Sequence, residues 1–338
     1  MKTPEPKKLP SGSWFCRLRL GGQSIPITAR SRTECKRIAE QKKSEYRAIT
    51  GKIKKPVKDV TLADSMRMYI NAYEATLSPA TIRGYNVYQR TRFPKYRNMK
   101  VSEIDYQKMI DDDLKLVSEK TVKNAWGLAH ASLKYIGYPP PNVRLAQVPI
   151  NEIAFLQPNE IKKFCKAVEG RSYEIPSLLL LQGMRLSEVR ALDWKNVDLK
   201  KETLTIRGAN VKGEDGYVLK QTNKNKTSTR IVPILIPQLK TALKKVEKKE
   251  GLVTTLSPSV LLRDVKRACE RANITVVTCH GLRHSFASLC YHLRDKVSER
   301  QCMQWGGWSS PDVMHKIYIR LAASDESEAK NAVKSFFT

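Results

Sequence analysis

The stretch His280-Gly281-Leu282-Arg283-His284-Ser285-Phe286-Ala287 places a histidine and an arginine three residues apart at a helix start, so both side chains share one face. Upstream, Gly183-Met184-Arg185-Leu186-Ser187-Glu188-Val189-Arg190-Ala191-Leu192 repeats that spacing with Arg185 and Glu188. Taken alone, Arg185 beside Glu188 reads rather as a partly buried ion pair on an otherwise apolar helix, and His280 with Arg283 is a weak signal. Together the two stretches supply two guanidinium forks and an imidazole. Arginine presents planar, bidentate donors to phosphate oxygens and keeps its charge. Histidine titrates near neutrality and suits proton transfer. The pair of stretches therefore reads as a phosphate-handling site.

Downstream, Gln304-Trp305-Gly306-Gly307-Trp308-Ser309-Ser310-Pro311-Asp312-Val313 gives a turn and a helix start, and the next helix carries Tyr318. A phenol attacks phosphorus only where the phosphate charge is neutralised and a base is near. Taken alone, Tyr318 reads as a core residue.

Four blocks in this order resemble those of the tyrosine recombinases, or phage-type integrases. They are Gly183-Met184-Arg185-Leu186-Ser187-Glu188, then Lys224-x-x-x-Ser228-x-Arg230-x-Val232-Pro233, then His280 to Ala287, and last Gly307-Trp308-Ser309-Ser310-Pro311-Asp312-Val313 leading to Tyr318. The resemblance covers residues 183–320; the first 150 residues resemble the family only in layout. It implies that Arg185 and Arg283 clamp the scissile phosphate and that Tyr318 is the nucleophile. It implies that Lys224 protonates the departing 5′ oxygen, that Glu188 orders the site and that His280 assists proton transfer. Two positions depart from the family pattern. Gln182 stands where a threonine is usual, and Trp308 stands where a histidine is usual. An indole N–H can donate to a phosphate but cannot accept a proton, which narrows Trp308 to binding and packing. The resemblance also implies no metal and no nucleotide cofactor. The apolar stripe of Ala329, Ala332, Val333, Phe336 and Phe337 resembles a tail that docks on a neighbouring subunit, giving a tetramer on DNA, and it could also fold back on its own domain.

Composition agrees with a nucleic-acid partner. Lys and Arg outnumber Asp and Glu by 61 to 33 in 338 residues, a formal charge of +28. Such an excess opposes compaction unless the working partner is anionic. An anionic membrane is the other candidate, but no basic amphipathic helix or lipidation site appears, and no apolar run reaches the length of a span. The N-terminal Met1-Lys2-Thr3-Pro4-Glu5-Pro6-Lys7-Lys8-Leu9-Pro10 lacks the apolar stretch of a signal peptide, so a cytoplasmic protein is expected. Seven scattered cysteines without a C-x-x-C pair fit a reducing compartment. Cys279, His280, His284, Cys290 and His292 cluster in sequence, yet their spacing matches no zinc pattern.

The expected fold is multidomain α+β. Residues 1–55 read as a small β-sheet plus helix, an arm-type DNA-binding domain. Residues 13–20 alternate, Gly21-Gly22 marks a hairpin, residues 24–28 return, and 32–50 are helical and basic. This module carries fifteen Lys/Arg against four Asp/Glu, which suits a DNA groove or a solvated basic surface. Residues 57–140 read as a helical core-site DNA-binding domain, with Ser78-Pro79 as a capped helix start. Its Tyr85 and Tyr88, interleaved with arginines, suit either core or DNA contact. Residues 151–338 read as a mostly α catalytic domain with a small antiparallel sheet. In it the stretch from Ile175 to Leu192 is strongly apolar apart from a few polar residues, and strands are expected at 203–207, 217–221 and 229–235, the first two separated by the turn Gly213-Glu214-Asp215-Gly216. The nearest competing functions are a type IB topoisomerase, which shares this chemistry, and a non-catalytic DNA-binding regulator on the same fold.

Overall fold

The computed structural model describes residues 4–20, 23–50, 59–149, 153–220, 229–311 and 334–335. Two compact units divide the chain, Met1–Pro149 and Ile150–Thr338.

The first unit opens with an antiparallel sheet of β1 (Lys7–Lys8), β2 (Trp14–Leu20) and β3 (Gln23–Ala29), in that order. In β2, Cys16, Leu18 and Leu20 are buried while Arg17 and Arg19 face water, the two-residue period of a half-buried strand. Helix α1 (Arg32–Thr50) sets Cys35 and Ala39 against that apolar face. Four helices follow: α2 (Leu62–Tyr73), α3 (Pro79–Thr91), α4 (Tyr106–Leu114) and α5 (Glu119–Tyr135). Ser78 caps α3 by accepting the Thr81 N–H at 3.1 Å, with Pro79 in the first turn. The core of this group is Leu62, Met66, Ile70, Phe93, Met109, Leu128 and Leu133 with their neighbours. Tyr85 and Tyr88 are half-buried and pack against it.

The second unit carries α6 (Pro158–Val168), α7 (Glu174–Leu181), the single turn α8 (Leu186–Val189), strands β4 (Val197–Asp198), β5 (Thr203–Ile206), β6 (Ala209–Lys212), β7 (Tyr217–Lys220) and β8 (Arg230–Pro233), and helices α9 (Pro237–Lys245), α10 (Pro258–Arg271), α11 (Cys279–His292) and α12 (Glu299–Gly306). Helix α7 is almost wholly buried and lies against α9 and α11.

Two local features go beyond the sequence reading. The strand at 203–206 does not pair across the 213–216 turn. That turn instead joins β6 to β7 as a separate hairpin, and β5 pairs antiparallel with β8 in the sheet β4-β5-β8. The apolar stretch 175–192 is also not one helix, because the chain breaks between α7 and α8. Gly183 there adopts φ +95°, and a Cβ on it would lie 2.7 Å from the Phe286 ring. Only glycine allows both the left-handed backbone and the close packing. Among the described residues, no helix is long and apolar enough to cross a membrane.

Candidate active site

The break at Gly183 positions Arg185. It sits at the N-cap of α8, and Glu188 occupies the third helical position. The Glu188 carboxylate therefore reaches back to accept the Arg185 backbone N–H at 2.9 Å and the Arg185 guanidinium at 2.8 Å. Three-residue spacing produces this contact, but through the start of a helix rather than along one.

Glu188 is 3% exposed, and a lone carboxylate at that depth would take up a proton. Two more donors prevent it. Arg230, the first residue of β8, sends Nη1 and Nη2 to the two Glu188 oxygens at 3.1 and 2.9 Å. Burial pushes the Glu188 pKa up, but the hydrogen bonds and charge of Arg230, joined by Arg185, outweigh it and hold the carboxyl below its ordinary value. Glu188 is thus ionised at neutral pH.

The arginines then converge on the last turn of α12. Gly307 follows that helix at φ +68°, and its N–H and that of Trp308 both return to the Met303 carbonyl. This left-handed ending exposes the carbonyls of residues 305–307, the negative end of the helix dipole. Arg230 Nε donates to Trp305 at 3.1 Å and Arg230 Nη2 to Gly306 at 3.2 Å. Arg283 Nη1 donates to Gly306 and to Gly183, and Arg185 Nη2 donates to Gly307 at 2.6 Å. A Cβ on Gly307 would fall 2.6 Å from the Arg230 guanidinium carbon, so this glycine also makes room for the clamp.

Arg283 comes from the first turns of α11, whose N-cap is Thr278. It is 2% exposed, and its guanidinium lies 4.2 Å from the centre of the Trp308 ring, a cation–π distance. Burial, then the charge of Arg185, lowers its pKa to about 9, still well above neutrality. Trp308 also stacks parallel to Phe286 at 6.3 Å. Its place is packing against a cation and a ring. His280 is exposed at the start of the same helix, with its ring against His284 at 4.5 Å. The surrounding protein, and then the charges of Arg283 and Arg185, lower its pKa. The imidazole is consequently neutral at pH 7 and able to accept a proton.

Five of the seven sequence-derived candidates, Arg185, Glu188, His280, Arg283 and Trp308, therefore meet in one place. Lys224 and Tyr318 lie outside the described residues. Arg230 was not among the candidates. Its signal was its place in the second block, six residues after Lys224, without any sign of its partner. Three guanidiniums gathered with one carboxylate, which Arg185 and Arg230 bond directly, leave an excess of positive charge, which is what a phosphodiester requires.

The family model for the phage integrase family matches residues 154–325, half of the chain, and contains this whole cluster. A tyrosine recombinase XerC-like protein of Caldanaerobacter subterraneus subsp. tengcongensis is 25% identical over 89% of this chain and 90% of its own length. The integrase of Salmonella phage P22 is 24% identical over 58% of this chain and 51% of its own. Among solved structures, the Tn1549 transposon integrase in complex with transposon right end DNA superposes with a TM-score of 0.64 at 15% identity, covering 80% of this chain and all of that one. A lambda integrase dimer bound to a COC′ core site gives 0.56 at 15% identity, covering 93% and 94%. The family match rests on the unit that carries the arginine cluster, and the chain belongs to the phage integrase family of tyrosine site-specific recombinases.

Proposed function

We propose that this chain cuts and rejoins double-stranded DNA one strand at a time, with Tyr318 as the covalent nucleophile. The observation that carries the reading is the convergence of three arginines, Arg185 and Arg230 on the buried Glu188 carboxylate and Arg283 on the Gly306 carbonyl that Arg230 also holds. In the cutting step the Tyr318 oxygen bonds to phosphorus, and its proton passes to His280, which its surroundings keep neutral. The bond from phosphorus to the 5′ oxygen breaks, and that oxygen takes a proton from Lys224. Arg185 and Arg283 hold the non-bridging oxygens as charge builds on them, and Trp308 packs Arg283 in place while its indole N–H serves the phosphate. The bond energy stays in a 3′-phosphotyrosine until another 5′ hydroxyl attacks it. No step calls for a metal or nucleotide.

The partner is then DNA bearing attachment sites, as expected for integration or excision of a mobile element or prophage. Residues 57–140 and 151–338 serve as core-binding and catalytic domains. Residues 1–55, with their fifteen basic residues and an exposed row of arginines on β2, serve as the arm-site domain. A tetramer on DNA, linked through the C-terminal tail, suits a reaction that breaks four strands. The working compartment is the cytoplasm, in keeping with seven free, buried cysteines.

Tyr318→Phe removes only the attacking oxygen. The variant is expected to bind attachment-site DNA with unchanged affinity and to form no covalent adduct on a nicked suicide duplex. Adduct formation by the Phe variant would sink the assignment. Appearance of recombinant product with the unaltered chain separates a recombinase from a topoisomerase.

A further inference from the structure

We infer that Arg230 is a positioning residue of the strand-transfer site, a brace that aims both phosphate-binding arginines without touching the phosphate itself. The inference rests on the reading of Arg185 and Arg283 as the phosphate clamp.

Arg230 is 8% exposed. Of the five N–H groups a guanidinium carries, four are committed within the protein, to Glu188 twice, to Trp305 and to Gly306. Arg185, by contrast, keeps 40% of its side chain exposed. A group so enclosed and so fully engaged has little left to offer a substrate.

What Arg230 does hold is both halves of the clamp. Through Glu188 it is tied to Arg185, because the same Glu188 oxygen accepts from Arg185 Nη1 and Arg230 Nη1. Through Gly306 it is tied to Arg283, because the same carbonyl oxygen accepts from both guanidiniums. The side chain thereby joins β8, α8 and the end of α12 with one rigid plane. A lysine at this position keeps the charge, but its ammonium cannot span a carboxylate and two successive carbonyls in one fixed geometry. Small displacements of a clamp are costly in rate, since about 1 Å of misplacement can slow a reaction about 100-fold.

Arg230 also begins the strand that follows the Lys224-bearing segment, so a second role, in placing the general acid, must be told apart from the first. Its hydrogen bonds favour the clamp, because each goes to α8 or α12. A substrate with sulfur in the 5′-bridging position separates the two, since the departing thiolate needs no proton.

The test is single-turnover cleavage of a suicide duplex built from the DNA flanking the gene, with oxygen or sulfur in the bridging position. The full-length chain is compared with Arg230→Lys, Lys224→Ala and Tyr318→Phe. Arg230→Lys is expected to bind DNA within about 3-fold of the parent and to cleave about 10- to 100-fold more slowly. Sulfur should restore Lys224→Ala and leave Arg230→Lys slow. Cleavage by Arg230→Lys at the parental rate, or its rescue by sulfur, overturns the inference. Should Arg230→Lys melt below the assay temperature, Arg230→Met/Glu188→Gln removes the buried charges together and is compared with Glu188→Gln alone. Equal rates for that pair overturn the inference, and a slower double variant supports it. An adduct formed by Tyr318→Phe would instead sink the nucleophile assignment, and leave Arg230 to be judged by its own rate ratio.

Discussion

Asp113 in the first unit and Glu188 in the second are both shut away from water beside an arginine, and they are held in opposite ways. Asp113 accepts the Phe93 N–H at 3.2 Å, where the chain leaves α3 with a left-handed φ of +53°. Its arginine, Arg92, stands 3.8 Å away, and its second oxygen has no hydrogen-bond partner among the described residues. Burial therefore wins, and the Asp113 pKa is raised despite the Phe93 N–H and Arg92. Around Glu188 the donors win, and the pKa is lowered. One carboxylate fixes a turn of the backbone. The other gathers guanidiniums, and only this second arrangement creates a surplus of positive charge that a phosphate can use.

Removing the carboxylate charge should therefore matter most in the second unit. Glu188→Gln leaves the buried Arg230 guanidinium without its counter-charge, a loss that typically costs about 3–5 kcal/mol. The variant is expected to lose stability on that scale in denaturant melts and to cleave about 100-fold more slowly. A variant within about 1 kcal/mol of the parent, with parental cleavage, would erase the contrast between the two carboxylates.

Gly307→Ala strikes the same cluster from the backbone side. Alanine at φ +68° costs about 1–2 kcal/mol, and its Cβ must push the Arg230 guanidinium aside. We expect cleavage to fall by about 10-fold with DNA affinity retained. Equal losses in Kd and cleavage rate would mean that the residue serves DNA binding rather than the clamp.

The smallest effect is expected at Asp113, and it has the opposite sign. An amide at this position still offers an oxygen to the Phe93 N–H, so Asp113→Asn should match or exceed the parent in stability at neutral pH, by up to about 1 kcal/mol. The pH dependence sharpens the contrast. A raised carboxyl pKa favours folding at low pH, and this advantage is lost as pH rises through the folded value. A lowered one favours folding above the unfolded pKa, and this advantage is lost as pH falls through the folded value. Asp113→Asn should therefore gain on the parent as pH is raised from about 4 to about 7, and Glu188→Gln should lose ground over the same range. Parallel trends in the two melts would contradict the opposed shifts.

Much of the scaffold was legible in the sequence because its signals are local. Alternation in Trp14–Leu20 and the Ser78-Pro79 cap each lie within a few neighbouring residues. Arg185, Glu188, His280 and Arg283 stood out as two three-residue pairs whose types are unusual together, and Trp308 stood out only through the resemblance of its block to the family's. Strand β6 was missed, since Ala209-Asn210-Val211-Lys212 has one β-branched residue and no buried face. The break at Gly183 was hidden inside a stretch whose apolar residues fit a continuous helix. Its cause, the Phe286 ring, lies far along the chain. Arg230 escaped for a similar reason, as nothing in a strand of Arg-Ile-Val-Pro announces a carboxylate 42 residues away.

The acceptors that receive Arg230, Arg283 and Arg185 at the end of α12 are main-chain oxygens of residues 305–307. Exchanging side chains leaves those oxygens where they are, so an alanine scan across this turn reports steric fit and passes over the anchorage itself. Replacing a single peptide amide by an ester, which weakens the carbonyl as an acceptor, would expose it. A clamp moored in this way constrains the path of the chain more than its spelling. Of the three positions only Trp305 can vary freely, since a Cβ on Gly306 would meet the Trp308 ring and one on Gly307 the Arg230 guanidinium.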